Sequence, residues 1–215
     1  MKQGLIFDLD GTLIDSLPGI AAALNHALEI SGFPVHAHPD VRRFIGNGSW
    51  VLAKRAVPVD TPDPVIAGVE AAFKNHYDSG WFSGTTPYPG IPELLLKLRS
   101  QGHRLAVLSN KPHAFTEAIV TALFPDIPFD VVLGQRAGIP HKPDPAGVHE
   151  IVKAFGLPAE DCVLIGDSTV DLETAGNAGI RSIAVTWGYH DRGPLVAAKP
   201  GLLVDDVESL LVALG

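Results

Sequence analysis

Gly4-Leu5-Ile6-Phe7-Asp8-Leu9-Asp10-Gly11-Thr12 stands almost at the start of the chain, with only Met1-Lys2-Gln3 ahead of it. An uninterrupted apolar run that ends in acids and a glycine reads as a strand buried on both faces, closed by a polar turn. The same pattern returns at Arg104–Leu108, Phe129–Leu133, Cys162–Ile165 and Arg181–Val185. Helical patterns lie between these runs. Pro92–Arg99 carries Leu94, Leu95 and Leu98 ahead of Gly102, which is placed to end the helix. Pro112–Leu123 carries Phe115, Ile119 and Leu123. Asp144–Phe155 begins with an Asp N-cap and Pro145 in its first turn. Ser168–Ala178 and Val207–Leu214 complete the series. Strands alternating with helices of this length predict an α/β fold, a Rossmann-like doubly wound parallel sheet with helices on both faces.

One long stretch breaks the alternation. Between Ser16 and Ser83 no strand pattern appears. Instead Ile20, Ala23, Leu24, Ala27 and Leu28 recur at helical spacing, then a polar region, then Val51, Leu52 and Ala56, then Ile66, Val69, Phe73 and Tyr77. The expected organisation is a discontinuous core, residues 1–15 and 84–215, carrying a helical cap at 16–83. The cap would be a lid over the end of the first strand, hinged at the turn-rich segments near Ser16 and Ser83.

Composition narrows the function. Sixteen Lys and Arg against 24 Asp and Glu give a net charge of −8 over 215 residues. A general nucleic-acid binder needs a basic face, so nucleic acid is not an expected partner. With 46% hydrophobic residues the chain is too apolar for a disordered acidic tail. The lone Cys162 excludes a disulfide framework within the chain and any site needing several cysteines. No apolar run approaches the ~20 residues of a membrane span, and Asp8 and Asp10 follow the first apolar run too soon for a signal peptide. A cytoplasmic protein is expected, as a monomer or a homodimer.

Ligands of an open α/β sheet bind beyond the C-terminal ends of the strands. After the first strand stand Asp8, Asp10 and Thr12; after the second, Ser109, Asn110 and Lys111. Lys142 precedes the helix after the third, and Gly166-Asp167-Ser168 follows the fourth, with Asp171 beyond. Asp8 and Asp10 are two apart, so in extended chain they point to one side. Carboxylate pairs at ~4 Å repel by ~4 kcal/mol at an effective dielectric of 20. Such a cluster calls for a counter-charge, and an oxygen-coordinated Mg²⁺ held by one or two carboxylates and a substrate phosphate is the natural one. Ser109 and Lys142 would then supply a hydroxyl and a positive charge to the remaining phosphoryl oxygens.

In order and spacing, Asp8-Leu9-Asp10-Gly11-Thr12, Ser109-Asn110, Lys142-Pro143 and Gly166-Asp167-Ser168-Thr169-Val170-Asp171 resemble the four motifs of the haloacid dehalogenase superfamily. The resemblance covers essentially the whole chain, cap included. It implies that Asp8 is the nucleophile forming an aspartyl-phosphate and that Asp10 protonates the leaving alcohol and later activates water. It also implies that Mg²⁺ is held by the Asp8 side chain, the Asp10 carbonyl and Asp167. Ser109, Asn110 and Lys142 would bind the phosphate, with Thr12 and Asp171 in support. The acid at Asp10 speaks against the metal-free dehalogenases and the phosphonate-cleaving members, and the transporting ATPases need membrane helices. Arg43-Phe44-Ile45-Gly46-Asn47-Gly48 resembles the cap segment of phosphoglycolate phosphatases, with Arg43 as a substrate contact. The expected activity is hydrolysis of a small phosphorylated metabolite, 2-phosphoglycolate first. Alternatives are a β-phosphoglucomutase-like phosphoryl transferase, a pyrophosphatase, or a non-enzymatic switch phosphorylated on Asp.

Several other features have ordinary readings. Gly46-Asn47-Gly48 lacks the third glycine and the preceding strand of a dinucleotide fingerprint. His36-x-His38 has no third metal ligand nearby and reads as loop. Cys162 reads as an inert core residue, and Trp50, Trp81 and Trp187 as packing residues.

Overall fold

A computed structural model describes residues 2–215. The strands and helices in chain order are β1 (Gly4–Phe7), β2 (Ile14–Asp15), α1 (Leu17–Ile30), α2 (His38–Phe44), α3 (Ser49–Ala56) and α4 (Asp63–Gly80). They continue as β3 (Thr86–Pro87), α5 (Ile91–Ser100), β4 (Arg104–Pro112), α6 (His113–Leu123), β5 (Val131–Gln135) and α7 (Ala146–Phe155). The last are β6 (Cys162–Gly166), α8 (Thr169–Ala178), β7 (Arg181–Val185), α9 (Arg192–Ala197), β8 (Leu202–Val204) and α10 (Val207–Leu214).

Six strands form one sheet in the order β5-β4-β1-β6-β7-β8, and every pairing in it is parallel. The chain winds outward from β1 through β4 to β5, then returns to the other side of β1 at β6. That reversal is the doubly wound order, and it puts β1 and β6 side by side at the switch point. Ile6 pairs with Ala106 and Leu164 in register, and this face is covered by Val148, Ile151 and Phe155 of α7. Leu5, Ile6 and Phe7 have no exposed surface. Burial of each such side chain contributes about 1.5–3 kcal/mol, which fixes β1 as the centre of the sheet.

The structure differs from the sequence expectation at several boundaries. β5 starts at Val131, not Phe129, because Asp130 is held at its mouth. The Asp130 carboxylate accepts from the Leu105 amide at 3.0 Å and from the Arg99 guanidinium at 2.7 Å, and Arg104 bonds it as well. α7 starts at Ala146 with no side-chain cap, and Asp144 accepts from the Ala146 amide just ahead of it at 2.9 Å. β8, an additional edge strand, is short and only partly buried.

The chain divides into two compact units. One runs to Ile14 and resumes at Pro87–Gly215; the other is Asp15–Thr86. Inside the second unit α1 packs on α4, and α3 packs on α4. Its core holds Ile20, Leu24, Ala27 and Leu28 of α1 with Ile66, Val69, Phe73 and Tyr77 of α4. The polar region between α1 and α3 contains α2, where Val41 alone is buried, so the sequence carries no periodic signal there. His36 is part of the unit's framework. It exchanges two hydrogen bonds with Asn25, at 2.8 and 2.9 Å, and its ring Nε2 lies 2.8 Å from the Ala56 carbonyl. Trp50 and Trp81 are half-buried.

Candidate active site

β1 and β6 are hydrogen-bonded neighbours, so the residues that leave their C-terminal ends must converge. The ladder extends one step further, with the Asp8 amide donating to the Ile165 carbonyl at 2.9 Å. Beyond it the chain folds into a tight turn in which the Leu13 and Ile14 amides return to the Leu9 carbonyl at 3.0 and 3.1 Å. Gly11 sits in this turn at φ +86°, a conformation that favours glycine. A Cβ there would stand 2.4 Å from the Asp167 carboxylate. The missing side chain thus permits both the turn and the approach of β6's acid.

Asp8, Asp167 and Asp171 each offer a carboxylate oxygen within 4.8 Å of the others. Lys142 lies among them. Its ammonium reaches Asp171 Oδ1 at 2.6 Å, Asp8 Oδ1 at 2.8 Å and the Leu108 carbonyl at 3.1 Å. An ammonium has three donors, and all three are placed. The loop that carries Lys142 is itself held by Asn110, whose side chain accepts from the Lys142 amide at 2.8 Å and donates to the Lys142 carbonyl at 3.1 Å. The sequence grouped Asn110 with the phosphate ligands, and its side chain also positions Lys142. Ser109 is buried near the end of β4, and its hydroxyl accepts from the Lys111 amide at 3.1 Å.

Asp171 and Ser168 form a capping box at the start of α8: the Asp171 amide donates to Ser168 Oγ, and the Ser168 amide to Asp171 Oδ2. The Ser168 hydroxyl also donates to Asp171 Oδ2 at 2.6 Å. With Oδ1 on Lys142, both carboxylate oxygens of Asp171 are engaged. Helix capping and support of the lysine are one arrangement here. Asp167 accepts from the Thr12 hydroxyl at 3.1 Å and from the Tyr189 amide at 2.7 Å.

Charge in this cluster is unbalanced, with three carboxylates around one ammonium. Burial holds the Asp8 carboxyl well above the usual carboxylate range, against the pull of Lys142, with Asp171 and Asp167 adding to the rise. Burial likewise pushes Asp167 up to about 7, reinforced by Asp171 and opposed by the bonds from Tyr189 and Thr12. For Lys142 burial alone would favour the neutral amine, but Asp171 and Asp8 outweigh it and hold the ammonium above its ordinary value. Buried carboxylates lacking positive charge, with oxygens converging on one point, suit a hard divalent cation.

Asp10 stands apart from the three. Its Oδ1 accepts from the Lys111 ammonium at 2.7 Å, and both side chains are largely buried. The sequence placed Lys111 at the strand end but gave it no role. A second contribution it missed is the turn after β7. Trp187, half-buried, donates its indole N–H to the Thr12 carbonyl at 3.1 Å, and Tyr189 supplies the amide on Asp167. Gly188 between them leaves no room for a Cβ, which would lie 2.3 Å from both the Gly11 carbonyl and Asp167 Cβ. Glycine and polar residues after a buried strand were the available signal. Arg43 belongs to the second unit, where it is exposed and pairs with Asp40 of its own helix at 3.4 Å.

Comparison with known proteins places this geometry. The family model for haloacid dehalogenase-like hydrolases matches residues 5–185. A phosphoglycolate phosphatase of Pectobacterium atrosepticum is 34% identical over 99% of this chain and 92% of its own length. One from Colwellia psychrerythraea is 33% identical over 99% of this chain and 97% of its own. Among solved structures, a predicted phosphoglycolate phosphatase from Haemophilus somnus superposes with a TM-score of 0.92 at 32% identity, covering 100% of this chain and 98% of that one.

Proposed function

Because the chain belongs to the haloacid dehalogenase-like hydrolase family and is a phosphoric monoester hydrolase of that family, we propose that Asp8 attacks the phosphorus of a small phosphate monoester, 2-phosphoglycolate first among them. The observation that carries this reading is the Asp8–Lys142 contact of 2.8 Å at the switch point, with a second acid two residues further on. In the first step an Asp8 carboxylate oxygen bonds to phosphorus as the bond from phosphorus to the bridging oxygen breaks. Asp10 gives its proton to the departing alkoxide, which leaves as the alcohol. In the second step Asp10 takes a proton from water, the water oxygen attacks phosphorus, and the Asp8 carboxylate is released with inorganic phosphate. Splitting one displacement into two is nucleophilic catalysis, and the acid–base role of Asp10 accounts for about 10²–10⁴-fold.

Lys142 neutralises charge at the nucleophile and on the transferring group, and Ser109 offers a hydroxyl there. Asn110, Thr12 and Asp171 keep these groups in place. Mg²⁺, held by the carboxylates of Asp8 and Asp167 and the Asp10 carbonyl, would supply the positive charge that lets a phosphate dianion enter an acidic cluster.

The test is phosphate release from 2-phosphoglycolate with and without Mg²⁺, for the native protein and Asp8→Asn. Loss of turnover in the variant, together with acid-stable retention of labelled phosphate by the native chain alone, is expected. Full activity in Asp8→Asn would overturn the assignment of the nucleophile.

A further inference from the structure

Two lysines with largely buried side chains stand at the C-terminal end of this sheet, and they meet different acids. The three donors of Lys142 are directed to Asp8, Asp171 and the Leu108 carbonyl, on the nucleophile's side. Lys111 leaves the end of β4 and places its ammonium 2.7 Å from Asp10 Oδ1 with its side chain only 8% exposed. The two residues are 101 positions apart in sequence, so this pairing is a product of the fold.

We infer that Lys111 determines specificity by pairing with a carboxylate carried on the leaving alcohol close to the bridging oxygen, so that the substrates are phosphate esters of small hydroxy acids. The inference rests on the reading of Asp10 as the leaving-group acid and deepens it. An acid that protonates the bridging oxygen must come within hydrogen-bond reach of it, at most ~3.2 Å. Adding the 2.7 Å between Asp10 Oδ1 and Lys111, and the width of the carboxyl group where Oδ2 carries the proton, places the ammonium within about 8 Å of that oxygen. A carboxylate one carbon away from the bridging oxygen can therefore come within reach of the ammonium, while Lys142 is engaged on the nucleophile's side. A lysine ammonium is a compact charge with rotatable donors on a flexible stem, able to follow such a group while keeping its contact with Asp10. Being shielded from water, it discriminates strongly between an anionic and a neutral leaving group.

A lysine that served only to orient Asp10 would affect every ester alike, which separates the two roles. The experiment compares 2-phosphoglycolate with 2-hydroxyethyl phosphate, its neutral analogue of nearly equal size, in the presence of Mg²⁺. For the native protein kcat/KM should favour the carboxylate ester by about 30-fold or more, the range for pairing a desolvated charge. In Lys111→Met, whatever both esters lose through the Asp10 contact, their ratio should fall about 30-fold, mainly through KM. Lys111→Arg should keep part of the preference. Equal losses for both esters in Lys111→Met overturn the inference, and so does a native ratio near one, which needs no variant. Failure of the native protein to release phosphate from either ester would instead refute the phosphatase reading on which the inference stands.

Discussion

Replacing Asp167 by Asn removes one negative charge from the buried cluster while its hydrogen bonds can survive. The Tyr189 amide can still donate to the Asn carbonyl oxygen, and the Thr12 hydroxyl, which now donates to Asp167, can turn and accept from the Asn amide. The variant therefore isolates the charge. In the native fold burial and Asp171 raise the Asp167 carboxyl from an ordinary 3.8 to about 7, a gap worth about 4 kcal/mol. A folded carboxyl with a raised pKa binds a proton that the unfolded chain has released. The part of the stability that depends on this group is then greatest below about pH 4, falls as pH rises from there, and is lowest above about pH 7. Between about pH 5 and about pH 8 the loss amounts to about 3 kcal/mol. At ~2–4 °C per kcal/mol for a chain of this size, that is about 6–12 °C in melting temperature.

Other carboxylates titrate over the same range, so the quantity to follow is the difference between the two proteins. Thermal melts by circular dichroism, in a chelator, should show Asp167→Asn gaining about 6–12 °C on the native protein between about pH 5 and about pH 8. Saturating Mg²⁺ should reverse that gain, because it binds the anionic form of the native site and stabilises only the folded chain. A difference in melting temperature that stays flat with pH would refute the argument that Asp167 carries uncompensated buried charge.

Lys142→Met removes the only ammonium from three carboxylates and should lower stability at neutral pH by about 3–5 kcal/mol, measured by urea denaturation. Its turnover should fall by at least about 10²-fold with the fold intact by circular dichroism. Gly188→Ala places a methyl group against the Gly11 carbonyl and Asp167 Cβ, neither of which can move freely. It should destabilise the protein by about 1–3 kcal/mol and weaken Mg²⁺ binding measured by calorimetry.

The parallel sheet was legible wherever both faces of a strand are covered, since burial then demands an uninterrupted apolar run. β1 begins and ends where its apolar run does, and β7 ends where its own does. β8 was not legible, because a three-residue edge strand with one buried residue leaves no pattern. The same holds for α2, whose single buried side chain gives no period. For the site, the strand-end rule locates Asp8, Asp10, Thr12, Ser109, Lys142 and Asp167 without any knowledge of contacts. It does not say which lysine meets which acid. That Lys111 finds Asp10 and Lys142 finds Asp8 and Asp171 depends on how separate loops pass one another, which no local pattern records. Asn110 makes the same point, as its residue type does not tell that its side chain holds the Lys142 backbone.

The clustering of acids follows from the order of the strands and not from any attraction between them. β1 and β6 are adjacent because the winding reverses there, so acids at both ends must meet. The chain offsets this in steps: Lys142 balances one charge, and the Tyr189 amide and Thr12 hydroxyl stabilise Asp167. With three carboxylates against one ammonium, a surplus of two negative charges remains when all are ionised. A phosphoryl group brings about −1.5 to −2 more at neutral pH. Repulsion of that size would hinder entry of the substrate, and Lys111 pairs with Asp10 and not with the three clustered carboxylates. With the carboxylates ionised, a divalent cation would cancel the surplus and let phosphate approach. The surplus of negative charge at this site is thus set by the topology of the sheet, before any ligand geometry is considered.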